Sequence, residues 1–374
     1  MAVACKNARD KWSIKDSIKE LGELSRTARA EVVGSIIQHL PSPSKSHYIG
    51  KGKLNELKDL KESTGYSVAI FDDELTPLQQ RNLEEALNVK VIDRAALILD
   101  IFARHARTNE GKLQVELAQH EYLLPRLAGQ WSHLERLGGG IGTRGPGESQ
   151  LETDRRLISH KIHNLKKKIE ELRKHRSLYR QKRRKGGTPV VSLVGYTNSG
   201  KSSLLNALSR ADVLVEDKLF ATLDPTTRRI YINSRGAVLL TDTVGFIRKL
   251  PPAIISAFRA TLEELTEADL LIHVVDITLH NAIEQCRIVE DTLKDLGIAE
   301  KPRITALNKI DLMLDKDKEW DEQKALNYFS DYSGPVSRDT VLTSAVKGWG
   351  LKNLRQTIDE VLSRQKNAPD EPAT

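Results

Sequence analysis

The sequence predicts an α/β protein: an N-terminal α/β subdomain plus an antiparallel helical hairpin (coiled coil), then a second α/β domain built around a phosphate-binding loop. Three observations carry this expectation. Short apolar runs alternate with helical patterns from Ala2 to Ile92 and again beyond Pro189, an apolar repeat of helical period fills the stretch between, and Gly195–Ser202 fits G-x-x-x-x-G-K-[ST]. The boundaries follow as 1–93 for the first subdomain, 94–185 for the hairpin, 186–366 for the second domain and 367–374 for a polar, frayed tail.

In the first subdomain the expected strands are Ala2–Cys5, Val32–Ile37, Ser67–Phe71 and Val89–Ile92, with helices over Ser17–Ala28, Lys51–Ser63 and Thr76–Leu87. Strands alternating with helices imply βαβ units and a mainly parallel sheet. Thr76-Pro77 reads as an N-cap followed by proline in the first turn. Strand signals vanish after Arg94, and two long helical stretches follow. In the second, Ile158, Ile162, Leu165, Ile169 and Leu172 recur at intervals of 4, 3, 4 and 3, the repeat of a coiled-coil seam. Its nearest partner is the stripe Leu113, Leu117, Leu124 and Leu127, which makes an antiparallel hairpin with a glycine-rich tip between Gly138 and Gly147. Arg183–Pro189 reads as a linker. Beyond it, Val190–Val194, Ala237–Leu240, Leu271–Val275, Ile304–Leu307 and Val341–Thr343 suit buried parallel strands.

The chain has a net charge of +7, yet Ser159–Lys185 alone holds twelve Lys or Arg against Glu170 and Glu171, a net of +10 in 27 residues. So local an excess points to a polyanionic partner. Two cysteines, Cys5 and Cys286, and no Cys/His cluster exclude a disulfide scaffold and a structural zinc site. No apolar run is long enough for a membrane span, and the acidic residues near the N-terminus fit neither a signal nor a transit peptide. A cytosolic, monomeric protein is expected.

The phosphate motif Gly195, Tyr196, Thr197, Asn198, Ser199, Gly200, Lys201, Ser202 follows an apolar strand and opens a helix. Its backbone N–H groups can curl around phosphate oxygens at the positive end of the helix dipole. Lys201 would reach the β- and γ-phosphates, and the Ser202 hydroxyl would ligate Mg²⁺. Asp242, Thr243, Val244 and Gly245 end another apolar run, where Asp242 can hold Mg²⁺ and the Gly245 N–H can meet a γ-phosphate. Asn308, Lys309, Ile310 and Asp311 end a third. An Asp at 311 accepts from both N1–H and the exocyclic amine of guanine, so adenine is rejected by leaving a carboxylate unpaired. Ser344, Ala345 and Val346 end the last strand, where a small residue lets a backbone N–H approach guanine O6. Four such segments in this order, each at a strand end, define a Ras-like P-loop GTPase domain binding GTP and GDP.

In Phe220, Ala221, Thr222, Leu223, Asp224, Pro225, Thr226 and Thr227, Thr222 is the favoured further Mg²⁺ ligand and Thr226 the alternative. Phe246 follows the D-x-x-G motif where Ras-like GTPases generally carry a Gln that orients water. A phenyl ring cannot do that, so slow intrinsic hydrolysis is expected, with water positioned by backbone, a cation or a partner. Asn198 could ligate a K⁺ in that role.

Gly140–Gly145 also matches G-x-G-x-x-G, but a helical pattern rather than a strand precedes it, so the dinucleotide reading is rejected. With Arg136 and Arg144 it reads as a backbone-exposing loop suited to an RNA cleft, and Lys166, Lys167 and Lys168 as phosphate contacts on the basic helix.

Ile49–Lys53, Phe71–Leu75, Lys112–Ala118, Gly139–Arg156 and Phe220–Thr227 together resemble the HflX-type GTPases over nearly the whole chain. The resemblance implies a two-part N-terminal region before the G domain, and binding to the large ribosomal subunit near the peptidyl transferase centre. It further implies GTP-dependent splitting of stalled or idle ribosomes, commonly after heat stress, with hydrolysis releasing the factor. It places the switch-region Mg²⁺ contact on Thr222 and accommodates an apolar residue at Phe246. The chain stops soon after the G domain, so the extra C-terminal domain of some relatives is expected to be missing. Two other readings remain open: a biogenesis or hibernation GTPase that binds rRNA without splitting, and a GTP-dependent switch acting on a protein partner.

Overall fold

The computed structural model describes residues 1–5, 12–127, 146–185, 187–209, 218–232, 236–250, 254, 262, 264–315, 317–333 and 337–367. It divides into two compact units, residues 1–175 with 249–258, and residues 176–248 with 259–374. Among the described residues no helix is long and apolar enough to cross a membrane, and no cluster of His, Cys, Asp and Glu could hold a metal ion.

In the first unit, strand β1 (Ala2–Cys5) pairs in parallel with β2 (Ile37–Leu40), and β3 (Val68–Phe71) pairs in parallel with β4 (Lys90–Asp93). Helices α1 (Ile14–Thr27), α2 (Lys51–Thr64) and α3 (Pro77–Leu87) connect them. Thr76 caps α3 in a reciprocal capping box with Gln79, as the Thr-Pro pair predicts. Strand β2 departs from expectation. The run Val32–Ile37 is not a strand over most of its length, and Val32 and Val33 are exposed at 43% and 48%. Gly34 and Ser35 interrupt it, and pairing starts only where Ile37 meets Ala2. Tyr48, Leu57, Phe71, Leu75, Leu83 and Val91 form the core of this part.

The first long helical stretch is two helices, α4 (Arg94–His105) and α5 (Asn109–Leu123), because Ala106 turns extended and the Thr108 hydroxyl caps a new N-terminus at the Gly111 N–H. Helix α6 runs over Pro146–Lys185. The proposed linker is therefore wrong over Arg183–Lys185, which continue the helix. Most of its seam packs as read: Ile162 and Leu165 bury against Leu117, flanked by Leu113, Leu124, Ile158 and Ile169, while Leu172 and Leu127 are not part of this cluster. Each such burial contributes about 1.5–3 kcal/mol. The glycine-rich tip, with Arg136, Arg144 and the rejected G-x-G-x-x-G, lies outside the described residues, as does the tail beyond Asn367.

The second unit is a six-stranded sheet of β5 (Val190–Val194), β6 (Thr226–Ile232), β7 (Gly236–Asp242), β8 (Leu270–Asp276), β9 (Arg303–Asn308) and β10 (Thr340–Leu342), in the order β10-β9-β8-β5-β7-β6. Four of the five pairings are parallel, while β6 runs antiparallel to β7. No apolar run announced β6, because an edge strand buries only Ile230 and Ile232 and leaves Arg228, Arg229 and Tyr231 exposed. Helix α7 (Lys201–Ser209) packs Leu204, Leu205 and Leu208 into the same core as Val191, Leu193, Leu240, Ile272 and Ile304. Strand β5 is central, with β7 on one side and β8 on the other. The chain leaves it at the point where the strand order reverses, where open α/β sheets place their ligand crevices.

Candidate functional site

The loop after β5 is held by two glycines that no other residue could replace without a clash. Gly195 has φ +154°, and a Cβ there would lie 2.4 Å from the Val274 carbonyl oxygen. At Gly200, φ is +95° and a Cβ would lie 2.3 Å from Asn308 Nδ2. Helix α7 starts immediately at Lys201, so its first free N–H groups open onto the loop.

Gly200 and Lys201 line a cavity of about 330 Å³. It gathers Thr197, Asn198, Gly200, Lys201 and Ser202 from the loop, Phe220, Ala221 and Thr222 from the segment before β6, and Thr243 and Gly245 from the end of β7. Asn308, Lys309, Asp311, Ala345 and Val346 complete it. All four sequence segments therefore converge. Gly195, Tyr196, Ser199, Leu223, Asp224, Asp242, Val244 and Ser344 are not in the lining. Several of them support it from behind.

Lys201 is buried, and its ammonium donates to the carbonyls of Tyr196 (2.8 Å) and Gly195 (3.2 Å). Burial lowers its pKa to about 8 against the opposing pull of Asp242. Ser202 Oγ donates to Asp242 Oδ2 at 2.6 Å and lies 2.8 Å from Thr222 Oγ1. Asp242 is fully buried, and desolvation pushes its pKa up in spite of Lys201 and the hydroxyls around it. Its second oxygen, Oδ1, is buried without a well-formed hydrogen bond. A starved carboxylate oxygen beside two hydroxyls is an all-oxygen donor set that fits Mg²⁺, an ion that takes only one or two protein ligands and fills the rest with phosphate and water. Thr222, rather than Thr226, is the threonine that reaches it. Thr226 opens β6 opposite Asp242.

At the other end, Asn308 is structural: its Nδ2 donates to the Ser199 carbonyl (3.0 Å) and its Oδ1 accepts from the Ala345 N–H (3.1 Å). It thus ties the phosphate loop to the segment after β10. Lys309, at φ +67°, donates to the Asn198 carbonyl (2.9 Å) and pairs with Asp276 at 2.6 Å. Asp311 stands half-buried at the rim, with Leu312 and Val346 exposed at 62% and 81%, apolar surfaces suited to the faces of a base. The sequence reading missed Asp276, Thr343 and Leu312. Asp276 ends β8 as Asp242 ends β7, a strand-end acid that could have been flagged. The role of Thr343, donating toward Asn308 Oδ1, had no sequence signal.

The segment after Gly245 is buttoned to the loop. Thr197 N–H donates to the Phe246 carbonyl (2.7 Å), Phe246 N–H to the Gly195 carbonyl (3.1 Å), and Arg248 N–H to the Tyr196 hydroxyl (3.1 Å). Phe246 is 2% exposed, so its ring is a packing element. On α6, Lys167 and Lys168 are exposed, while Lys166 pairs with Glu121 at 2.7 Å, which neutralises one of the three expected phosphate contacts.

Comparison with known proteins shows the family. Residues 190–309 match the family model of 50S ribosome-binding GTPases, residues 15–103 that of the GTP-binding GTPase N-terminal region, and residues 105–183 that of the GTP-binding GTPase middle region. The chain is 57% identical over 299 residues to GTPase HflX of Caldanaerobacter subterraneus, covering 80% of this chain and 70% of that one. To GTPase HflX of Escherichia coli it is 44% identical, covering 93% and 79%. A GTP-binding protein of Sulfolobus solfataricus, solved with GDP, is 28% identical over 97% of this chain and 98% of that chain, with a TM-score of 0.46.

Proposed function

The chain belongs to the HflX family of GTPases, and from that premise we propose that it binds the large ribosomal subunit in its GTP state, splits stalled or idle ribosomes, and leaves on hydrolysis. The observation that carries the nucleic-acid part is helix α6, with a net of +10 over Ser159–Lys185 and a face on which Lys167 and Lys168 stand in solvent. Phosphate contacts supply most of the affinity of such surfaces. In this reading the loop of Arg136 and Arg144 enters a functional RNA pocket.

The nucleotide roles follow from the cavity. Lys201 leaves its two carbonyls for the β- and γ-phosphates, regaining as a cation what burial takes away. Ser202, Thr222 and Asp242 hold Mg²⁺, which when bound neutralises charge on the phosphate oxygens. Gly245 presents its N–H to the γ-phosphate; a side chain there would meet Thr197 Cα at 2.6 Å. Asp311 reads guanine. Loss of the γ-phosphate removes the contacts at Thr222 and Gly245 together, which lets both switch segments relax. With Phe246 packed away, water is oriented by backbone, by a cation near Asn198 or by the ribosome.

The test is GTP turnover with and without purified large subunits, ATP in parallel, followed by gradient profiles of intact ribosomes with a non-hydrolysable GTP analogue. Stimulation selective for GTP and a shift from whole ribosomes to subunits are expected, both abolished in Lys201→Ala. Stimulation without dissociation would leave a factor that binds rRNA and does not split. Equal turnover in Na⁺ and K⁺ buffers would remove the cation role of Asn198.

A further inference from the structure

Of the four loop positions at which the motif tolerates any residue, two, Tyr196 and Thr197, each bond a different switch segment. Thr197 Oγ1 accepts the backbone N–H of Phe220 at 2.9 Å, and both residues are buried. Phe220 is not free to choose its conformation. Its φ is +59°, a left-handed geometry that a bulky aromatic residue adopts only when its surroundings enforce it. Phe220 and Leu223 are both buried, each 2% exposed. Between these two anchors lies Thr222, whose hydroxyl already stands 2.8 Å from Ser202 Oγ. Two residues of chain span at most about 7 Å, so the fixed Phe220 amide sets where Thr222 can reach.

We propose that Thr197 is a positioning residue for GTP hydrolysis: its hydroxyl holds the Phe220 amide and so presents Thr222 to the Mg²⁺ site before a γ-phosphate arrives. The proposal rests on the GTPase chemistry of the cavity alone and is independent of any ribosomal partner. The bond is made by an acceptor oxygen, so valine, with the same shape and no acceptor, removes it. The buried hydrogen bond that holds the Phe220 N–H is then lost, and that loss is large enough to move a short segment. Serine keeps the oxygen and loses only the methyl group.

The experiment compares Thr197→Val and Thr197→Ser in the full-length protein. For Thr197→Val we expect kcat for GTP to fall about tenfold or more and the Mg²⁺ concentration for half-maximal turnover to rise. The Kd for GDP, a nucleotide without the γ-phosphate that Thr222 serves, is expected to change less than about threefold. Thr197→Ser is expected to restore kcat to within about twofold of the native rate, because its hydroxyl remains an acceptor. Native turnover in Thr197→Val would overturn the proposal. So would equal loss in the serine variant, which would trace the effect to the methyl group, or a parallel loss of GDP and GTP affinity, which would trace it to the loop itself.

Discussion

His273 sits in the middle of β8, 4% exposed, at a position where strands on both sides pair with it. Burial, with the positive charges of Arg303 and Lys201 adding to it, lowers its pKa from 6.5 to about 4. The folded ring is therefore neutral above about pH 4, whereas the unfolded ring takes a proton below 6.5. Above that value the native state suffers no penalty. As pH falls through the window from 6.5 to about 4, the unfolded chain binds a proton that the fold refuses, and stability is lost progressively. That gap corresponds to about 3 kcal/mol, a large share of the 5–15 kcal/mol that ordinarily separates folded from unfolded chains. The perturbation is His273→Gln, which keeps a polar side chain and removes the titration. Urea unfolding followed by tryptophan fluorescence at pH 7 and pH 4 gives both stabilities. Whatever the variant costs at neutral pH, the difference between the two proteins is expected to move about 3 kcal/mol in favour of the variant by pH 4. Carboxylates titrating elsewhere cancel in that difference. Parallel stability profiles would refute the reasoning, since they would mean that the ring is protonated in the folded strand at no cost.

Gly195→Ala places a Cβ 2.4 Å from a backbone oxygen, so GDP affinity measured by calorimetry is expected to fall by at least about 100-fold with secondary structure retained; an unchanged Kd contradicts the packing argument. Asp311→Asn leaves the guanine edge mispaired and is expected to weaken GTP by about 100-fold or more without strengthening ATP; undiminished preference for GTP would remove Asp311 from base recognition. Lys167→Glu with Lys168→Glu is expected to reduce the slope of log affinity for large subunits against log salt by roughly 1.4–1.8, with GDP binding unchanged; an unaltered slope would put the RNA-contacting face elsewhere.

The nucleotide cavity was legible because each of its four segments is a short motif whose chemistry depends on backbone position, and strand ends are where such motifs can act. Apolar runs located β5, β7, β8, β9 and β10 for the same reason: a strand buried on both faces has to be apolar throughout. What the sequence concealed is what burial does not encode. Strand β6 buries only Ile230 and Ile232, so it has no apolar run to announce it. Val32 and Val33 looked like a strand by composition, but strand formation needs a partner edge, and the register with β1 begins only at Ile37. Likewise the buried hydrogen bonds of Asn308 and Thr343 join residues far apart in sequence, and no local pattern announces them.

The phosphate loop itself gives the last step. Its glycines and Lys201 are dictated by phosphate, so they carry no information about this chain in particular. Tyr196 and Thr197 are free of that demand, and the structure uses them to bond Arg248 and Phe220, one from each segment that senses the γ-phosphate. Tyr196 and Phe246 also form an isolated parallel bridge that extends the β5–β7 pairing past both strand ends. A γ-phosphate entering beside Gly245 therefore meets a segment already tied to the loop by three backbone N–H donors, and binding has to rearrange those bonds rather than order a free chain. Ordering a free segment costs about 1–2 kcal/mol for every residue fixed. A segment tied down beforehand avoids most of that cost, so the nucleotide's contacts are available to choose between two closed arrangements. On this argument Tyr196→Phe, which removes the acceptor for the Arg248 N–H, is expected to change how far GTP is preferred over GDP while leaving the cavity's shape intact. Equal Kd ratios for GTP and GDP in the native and variant proteins would mean that the Tyr196 hydroxyl is a bystander to switching.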